Sequence, residues 1–170
     1  LPLATGTSAR IAHEPPLRVD GRYVVIRLAE NRLAVMEDAR VIWEAPVATG
    51  TGFRLAGAGQ TWRFSTPRGV FRVQRMEKDP VWIMPDWAFV EAGRRVPPLD
   101  SPLRRRPGAL GTTALYIDHD LAIHGTERPE LVMREDPDAR RVSHGCIRMT
   151  NEDARMLYYL VNVGTPVLIY

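Results

Sequence analysis

With 170 residues, 45% of them hydrophobic, the chain has the length and apolar content for one domain that buries its own core. The formal charge of +3 reflects an arginine excess, with pairs at Arg94-Arg95 and Arg140-Arg141 and a run at Arg104-Arg105-Arg106, but no interleaved aromatics or nucleic-acid motif accompany them. The composition therefore argues against a nucleic-acid partner, the lack of any apolar run of about eighteen residues argues against a membrane span, and a single cysteine precludes an internal disulfide.

Residues 1–20, with Pro2, Pro15 and Pro16, carry neither a helical nor a strand period and are expected to be an extension or linker. The chain begins at Leu1 without a basic and then apolar leader, as expected if an export signal lies outside it. Strands follow. Residues 23–28 and 32–36 alternate and are rich in β-branched side chains, with Glu30-Asn31 as a polar turn, so they predict a hairpin. Residues 41–43 and 46–48 continue the meander towards Thr49-Gly50-Thr51-Gly52. The glycines and small residues of 53–60 imply a loop, after which 69–73 returns to strand.

Residues 76–111 hold many prolines, Trp82, Trp87 and most of the arginine clusters, which rules out a regular helix and predicts a long loop. Loops of this length are commonly lids or binding surfaces, and the plainer reading is a loop pinned to the core by its aromatics. Beyond it, 115–117 and 121–124 predict a second hairpin around Asp118-His119-Asp120, whose acidic and histidine side chains suit a turn tip better than a metal site. No metal is expected. Thr150 and Asp153 are spaced as a capping box, and Ala154, Leu157, Tyr158 and Val161 share a helical face, so a helix is expected from there to Gly164, followed by a closing strand over 165–170. The fold class expected from these elements is mostly β, a sandwich or barrel-like pair of sheets with one clear helix after the cysteine.

That cysteine, Cys146, lies in Ser143-His144-Gly145-Cys146. A thiol attacks as thiolate, and an ordinary cysteine is mostly protonated at neutral pH, so a neighbouring base must take its proton. Two candidates exist: His144, two positions before it, and His124, at the end of the apolar run Leu121-Ala122-Ile123. A lone cysteine is commonly a small buried hydrophobe. Gly145 beside it weighs against that, because a tight turn there lets consecutive N–H groups face a carbonyl oxygen. Ser143 would either bond a histidine or shape the turn. Arg148, two residues past the cysteine, projects to the same side in extended backbone, where its guanidinium would bind a carboxylate or form a structural ion pair.

The pattern resembles the signature of L,D-transpeptidases with a YkuD-type catalytic domain, which remodel bacterial peptidoglycan. The signature is a histidine, a spacer, Ser/Thr-His-Gly-Cys, a hydrophobic residue and Asn or Arg; here the spacer is 125–142 and the last position is Arg148. Thr66-Pro67-Arg68-Gly69-Val70-Phe71 and Gly164-Thr165-Pro166-Val167 resemble further family elements. The resemblance covers roughly 21–170, which it marks as the catalytic domain, with 76–111 as a lid or substrate-loop insertion.

The resemblance implies acyl transfer without a cofactor. Cys146 would attack a tetrapeptide stem, release D-alanine, and pass the acyl group to an amine of a neighbouring stem or of a protein. It favours His124 as base, oriented by a carbonyl near Gly125, with His144 lining the site and the Gly145 and Cys146 amides binding the oxyanion. The partners implied are donor and acceptor stem peptides, the chain acting as a monomer in the periplasm or cell envelope. Alternatives are an L,D-carboxypeptidase or related thioester-forming hydrolase, in which water is the acceptor, and a wall-binding module without catalysis. A redox or metal-binding thiol lacks a second cysteine or a ligand cluster.

Overall fold

The computed structural model describes residues 21–170. The expected extension over 1–20 lies outside the described residues. Fifteen strands, β1 to β15, run in chain order as Arg22–Arg27, Arg32–Glu37, Arg40–Pro46, Thr49–Gly50, Arg54–Gly57, Gln60–Arg63, Gly69–Arg72, Arg75–Lys78, Val81–Ile83, Arg105–Pro107, Thr113–Asp118, Leu121–His124, Arg141–Ser143, Ile147–Arg148 and Pro166–Ile169. Three helices accompany them: α1 (Asp86–Glu91), α2 (Pro129–Val132) and α3 (Asn151–Leu160).

Two sheets face each other. The first has the order β3-β2-β1-β15-β7 and the second β14-β12-β11-β8. Period-two alternation sends Val24 and Ile26 of β1, Leu33 and Val35 of β2, and Val167 and Ile169 of β15 into the space between the sheets. There they meet Leu115 and Ile117 of β11, Ile123 of β12 and Ile147 of β14. Full burial of each such side chain contributes roughly 1.5–3 kcal/mol, so this layer is the main source of stability. The expected sandwich of β-sheets is present.

The helix after the cysteine closes one part of the core. Thr150 Oγ1 accepts the Asp153 N–H at 3.1 Å, and Ala154 and Leu157 turn inward against β11 and β12. It stops at Leu160, with Val161 already extended, rather than continuing to Gly164. The apolar pattern includes Val161 because its side chain is still buried, though its backbone has left the helix.

Two other expectations need correction. Residues 53–60 are not a loop but the bulk of the β5–β6 hairpin, in which Arg54 pairs with Arg63 and Gly57 with Gln60. Ala58 and Gly59 turn it with φ of 48° and 73°, the geometry of a tight hairpin turn, and alanine in the first of these positions hides the usual sequence signal. Residues 76–111 are likewise built of short elements. They contribute β8 to the second sheet, the β9–β10 pair and α1, with the prolines falling mainly between them. Arg104, 3% exposed, ties this arm together by bonding the carbonyls of Met84, Pro97 and Pro98 and the carboxylate of Asp86.

Past β3 the chain crosses between the sheets. Ala48 bridges to Arg148, and β4 pairs in parallel with β13, so the segment leading into the cysteine turn is anchored by backbone far away in sequence.

Candidate active site

β12 and β14 are parallel neighbours, with Ile123 opposite Ile147 and His124 opposite Arg148. Because the isoleucines face the core, His124 and Arg148 must face the other way. Cys146, one residue before Ile147, falls on that same outer face beside Ala122. The face extends through β11, where Tyr116 pairs with Ala122, to Arg75 on β8, which pairs with Tyr116. Sheet pleating thus gathers residues from four strands.

His124 is 4% exposed, and its Nδ1 lies 2.6 Å from the Gly125 carbonyl oxygen. A carbonyl only accepts, so Nδ1 carries the hydrogen and Nε2 keeps a free lone pair. Burial lowers the pKa of this imidazole to about 4, the Gly125 bond opposing and nearby Arg148 adding to the effect. Gly125 has no room for a side chain: a Cβ would stand 2.1 Å from Asn151 Oδ1, at the start of α3. The glycine lets the base, its anchoring carbonyl and the helix approach one another.

Cys146 is partly exposed, and its Sγ donates to the Asp120 carbonyl at 3.7 Å. Among the described residues no hydrogen bond joins it to either imidazole. Burial pushes the thiol pKa up, and Asp120 reinforces this, while the Ala122 N–H and Arg148 pull it down. The resting pair is therefore neutral thiol and neutral imidazole rather than a preformed ion pair. Attack requires the sulfur to turn away from Asp120, with its proton leaving as the new bond forms.

His144 is held elsewhere. Its ring stacks on Trp87 at 4.2 Å between centroids and 18° between planes, meets Phe64 edge-on at 4.6 Å, and places Nε2 at 2.9 and 3.0 Å from the two Glu91 carboxylate oxygens. Nε2 is thus committed as a donor to Glu91. His124 therefore keeps its lone pair on Nε2, whereas His144, with Nε2 donating to Glu91, keeps its own on Nδ1.

The turn between them is fixed by three bonds. Ser143, fully buried, donates its hydroxyl to the Cys146 carbonyl at 2.6 Å and accepts the Gly145 N–H at 3.1 Å. Of the two readings of Ser143, the observed contacts are those of a turn-shaping residue. Because the Gly145 N–H is spent on Ser143, the donors on this turn without a partner among the described residues are the N–H groups of His144 and Cys146. Thr66 Oγ1 donates to the Gly145 carbonyl at 2.7 Å while accepting the Gly50 N–H at 2.9 Å. In a trans peptide the carbonyl and the next N–H point opposite ways, so holding the Gly145 oxygen aims the Cys146 N–H away from Thr66. Gly145 has φ of +128°, a conformation that side chains disfavour.

Arg148 is half-buried and its guanidinium has no hydrogen-bond or carboxylate partner among the described residues. Burial lowers its pKa and the adjacent Cys146 opposes that. Among the described residues, the structural ion pair that was one reading of Arg148 is not formed.

The family model for the YkuD L,D-transpeptidase catalytic domain matches residues 21–169. The chain belongs to this family. It is 32% identical to the probable L,D-transpeptidase YbiS of Escherichia coli over 146 residues, covering 85% of this chain and 43% of YbiS. Against the putative L,D-transpeptidase YqjB of Bacillus subtilis it is 34% identical over 157 residues, covering 92% of this chain and 74% of that one. Among solved structures, the L,D-transpeptidase of Xylanimonas cellulosilytica matches with a TM-score of 0.62 at 25% identity, over 91% of this chain and 63% of that one. The chain therefore spans under half the length of YbiS.

Three contributors to this candidate site escaped the sequence reading. Thr66 belongs to a recognised family element, so the signal existed without a role attached. Glu91 and Trp87 lie more than fifty residues from His144, in the arm expected to be irregular, and nothing local in the sequence links them to it.

Proposed function

We propose that this chain is the catalytic domain of a peptidoglycan L,D-transpeptidase, with Cys146 as nucleophile and His124 as base. Cys146 attacks the carbonyl of the L-configured third residue of a tetrapeptide stem, and His124 Nε2 takes the thiol proton. The oxyanion is met by the N–H groups of Cys146 and His144, positioned by Gly145, Ser143 and Thr66. Collapse breaks the carbon–nitrogen bond, and the His124 proton leaves with D-alanine. An amine of a second stem then attacks the thioester and gives its proton to His124, and the returning thiolate recovers it. Arg148 binds a stem carboxylate, and an exported setting in the cell envelope follows from that substrate.

The observation that carries this reading is the convergence on one sheet face of a partly exposed thiol, an imidazole with a free Nε2 and a guanidinium without a carboxylate partner among the described residues. It is tested by product analysis of purified muropeptides with and without an amine acceptor. The wild type is expected to release D-alanine and to form cross-linked product when the amine is present, and Cys146→Ala to do neither. Release that persists in Cys146→Ala would refute the nucleophile, and products of hydrolysis alone would favour a carboxypeptidase.

A further inference from the structure

We propose that Glu91 is a positioning residue for this site, acting through His144; the proposal rests on the reading of Cys146 as nucleophile. Both Glu91 carboxylate oxygens lie within 3.0 Å of His144 Nε2, while Trp87, four residues earlier on α1, covers the flat of the same ring. Phe64, just after β6, closes its edge and also packs against Trp87 with centroids 5.2 Å apart. A histidine in the cysteine turn is thus held on three sides by side chains from outside that turn.

The holder is itself fixed. Arg104 fastens the start of α1 through Asp86 and the carbonyls around it. At the other end Gly57 of the β5–β6 hairpin lies so near Val90 that a Cβ on it would stand 2.4 Å from the valine Cγ1. Carboxylate and indole therefore face the turn from a braced frame. His144 sits between Ser143, locked in β13, and Gly145, whose carbonyl is pinned by Thr66. Fixing its ring removes the remaining freedom of a residue whose N–H is one of the two unpartnered donors.

A bland alternative is a surface contact of no consequence, since the two side chains are 28% and 48% exposed and such pairs contribute little stability. The two accounts diverge in what is lost on substitution. A surface pair takes away nothing of note, whereas a positioning contact leaves the fold intact and slows reaction at Cys146.

The test measures the rate at which a carbapenem acylates Cys146, by intact mass, in wild type, Glu91→Ala and Glu91→Gln. Each protein is labelled with nitrogen-15 histidine so that the His144 tautomer is read by NMR. Glu91→Ala is expected to shift Tm by less than about 4 °C yet to slow acylation by about tenfold or more, because misplacement on the order of 1 Å costs up to about a hundredfold. It is also expected to lose the fixed Nε2–H tautomer. Glu91→Gln keeps an oxygen that accepts the same N–H, and is expected to restore most of the rate and the tautomer. Acylation of Glu91→Ala at the wild-type rate, or Glu91→Gln as slow as Glu91→Ala, would overturn the proposal. A wild type that forms no adduct at Cys146 would instead overturn the proposed function, and the His144 spectra would then judge the Glu91 contact alone.

Discussion

His124 is 4% exposed, and burial draws its pKa from 6.5 to about 4. The chemical consequence is that its Nε2 lone pair stays available well into the acidic range, so the acid limb of kcat/KM is expected near pH 4 and not near 6.5. The same shift has a sign for stability. The unfolded chain takes up this proton as pH falls through about 6.5 and the folded chain only near 4, so between those values the unfolded state binds more protons and stability declines. At about 1.4 kcal/mol per pH unit the full loss is about 3 kcal/mol, complete below pH 4 and absent above 6.5. Urea unfolding across pH, compared with His124→Gln, checks this: the variant should lack that decline. An acid limb near pH 6.5, with equal slopes in both proteins, would contradict it. Arg148 makes a different prediction. Its guanidinium has no carboxylate partner in the described residues, so Arg148→Ala should leave Tm close to wild type while raising KM for a stem with a free carboxylate, by the roughly 1.5–3 kcal/mol of a charged hydrogen bond. A large loss of Tm with unchanged KM would assign the residue to structure instead.

At the scale of elements, the turn from β13 to β14 owes its shape to chain segments distant in sequence. β4 lies beside β13, Thr66 bridges β4 to the Gly145 carbonyl, and α1 presents Glu91 and Trp87 to His144. Thr66→Val keeps the shape of the side chain but strands both the Gly145 carbonyl and the Gly50 N–H, at about 1–3 kcal/mol for an unsatisfied group. It should also slow acylation of Cys146, because the Cys146 N–H loses its aim, and Thr66→Ser should recover most of both. Thermal melts and acylation rates on the three proteins decide the matter; a Val variant with normal rate would show that the turn holds itself. The β5–β6 hairpin enters the same account as a brace behind α1.

At the scale of the whole molecule, a sandwich whose inner faces are filled by aliphatic side chains leaves His124 and Arg148 to the outer face of the second sheet. The strands around residues 23–36 were legible because alternating β-branched residues report directly on a half-buried sheet, and those around 115–124 because two short apolar runs flank a polar turn. The α3 start was legible because Thr150 satisfies its cap locally. His124 and Cys146 stood out in sequence as candidates because they fall in one motif, and their shared sheet face followed only once the β12–β14 register was known. The β5–β6 hairpin was hidden by an alanine at a positive φ, and the 76–111 arm by prolines that separate short elements. Arg104 was hidden for another reason: nothing distinguishes it in sequence from Arg105 and Arg106, yet it alone of the three is buried. The resting charge state was not legible either, since burial of both thiol and imidazole depends on packing across the sheet. All scales bear on one proposed event, the formation of a thioester on Cys146, whose thiol pKa burial pushes up. The measurement that addresses it most directly is rapid-quench intact mass of the wild type mixed with a tetrapeptide stem, followed by peptide mapping. A mass gain equal to the acyl tripeptide stem, located on Cys146 and appearing with D-alanine release, is the predicted result; release with no such adduct, or an adduct on another residue, would contradict it.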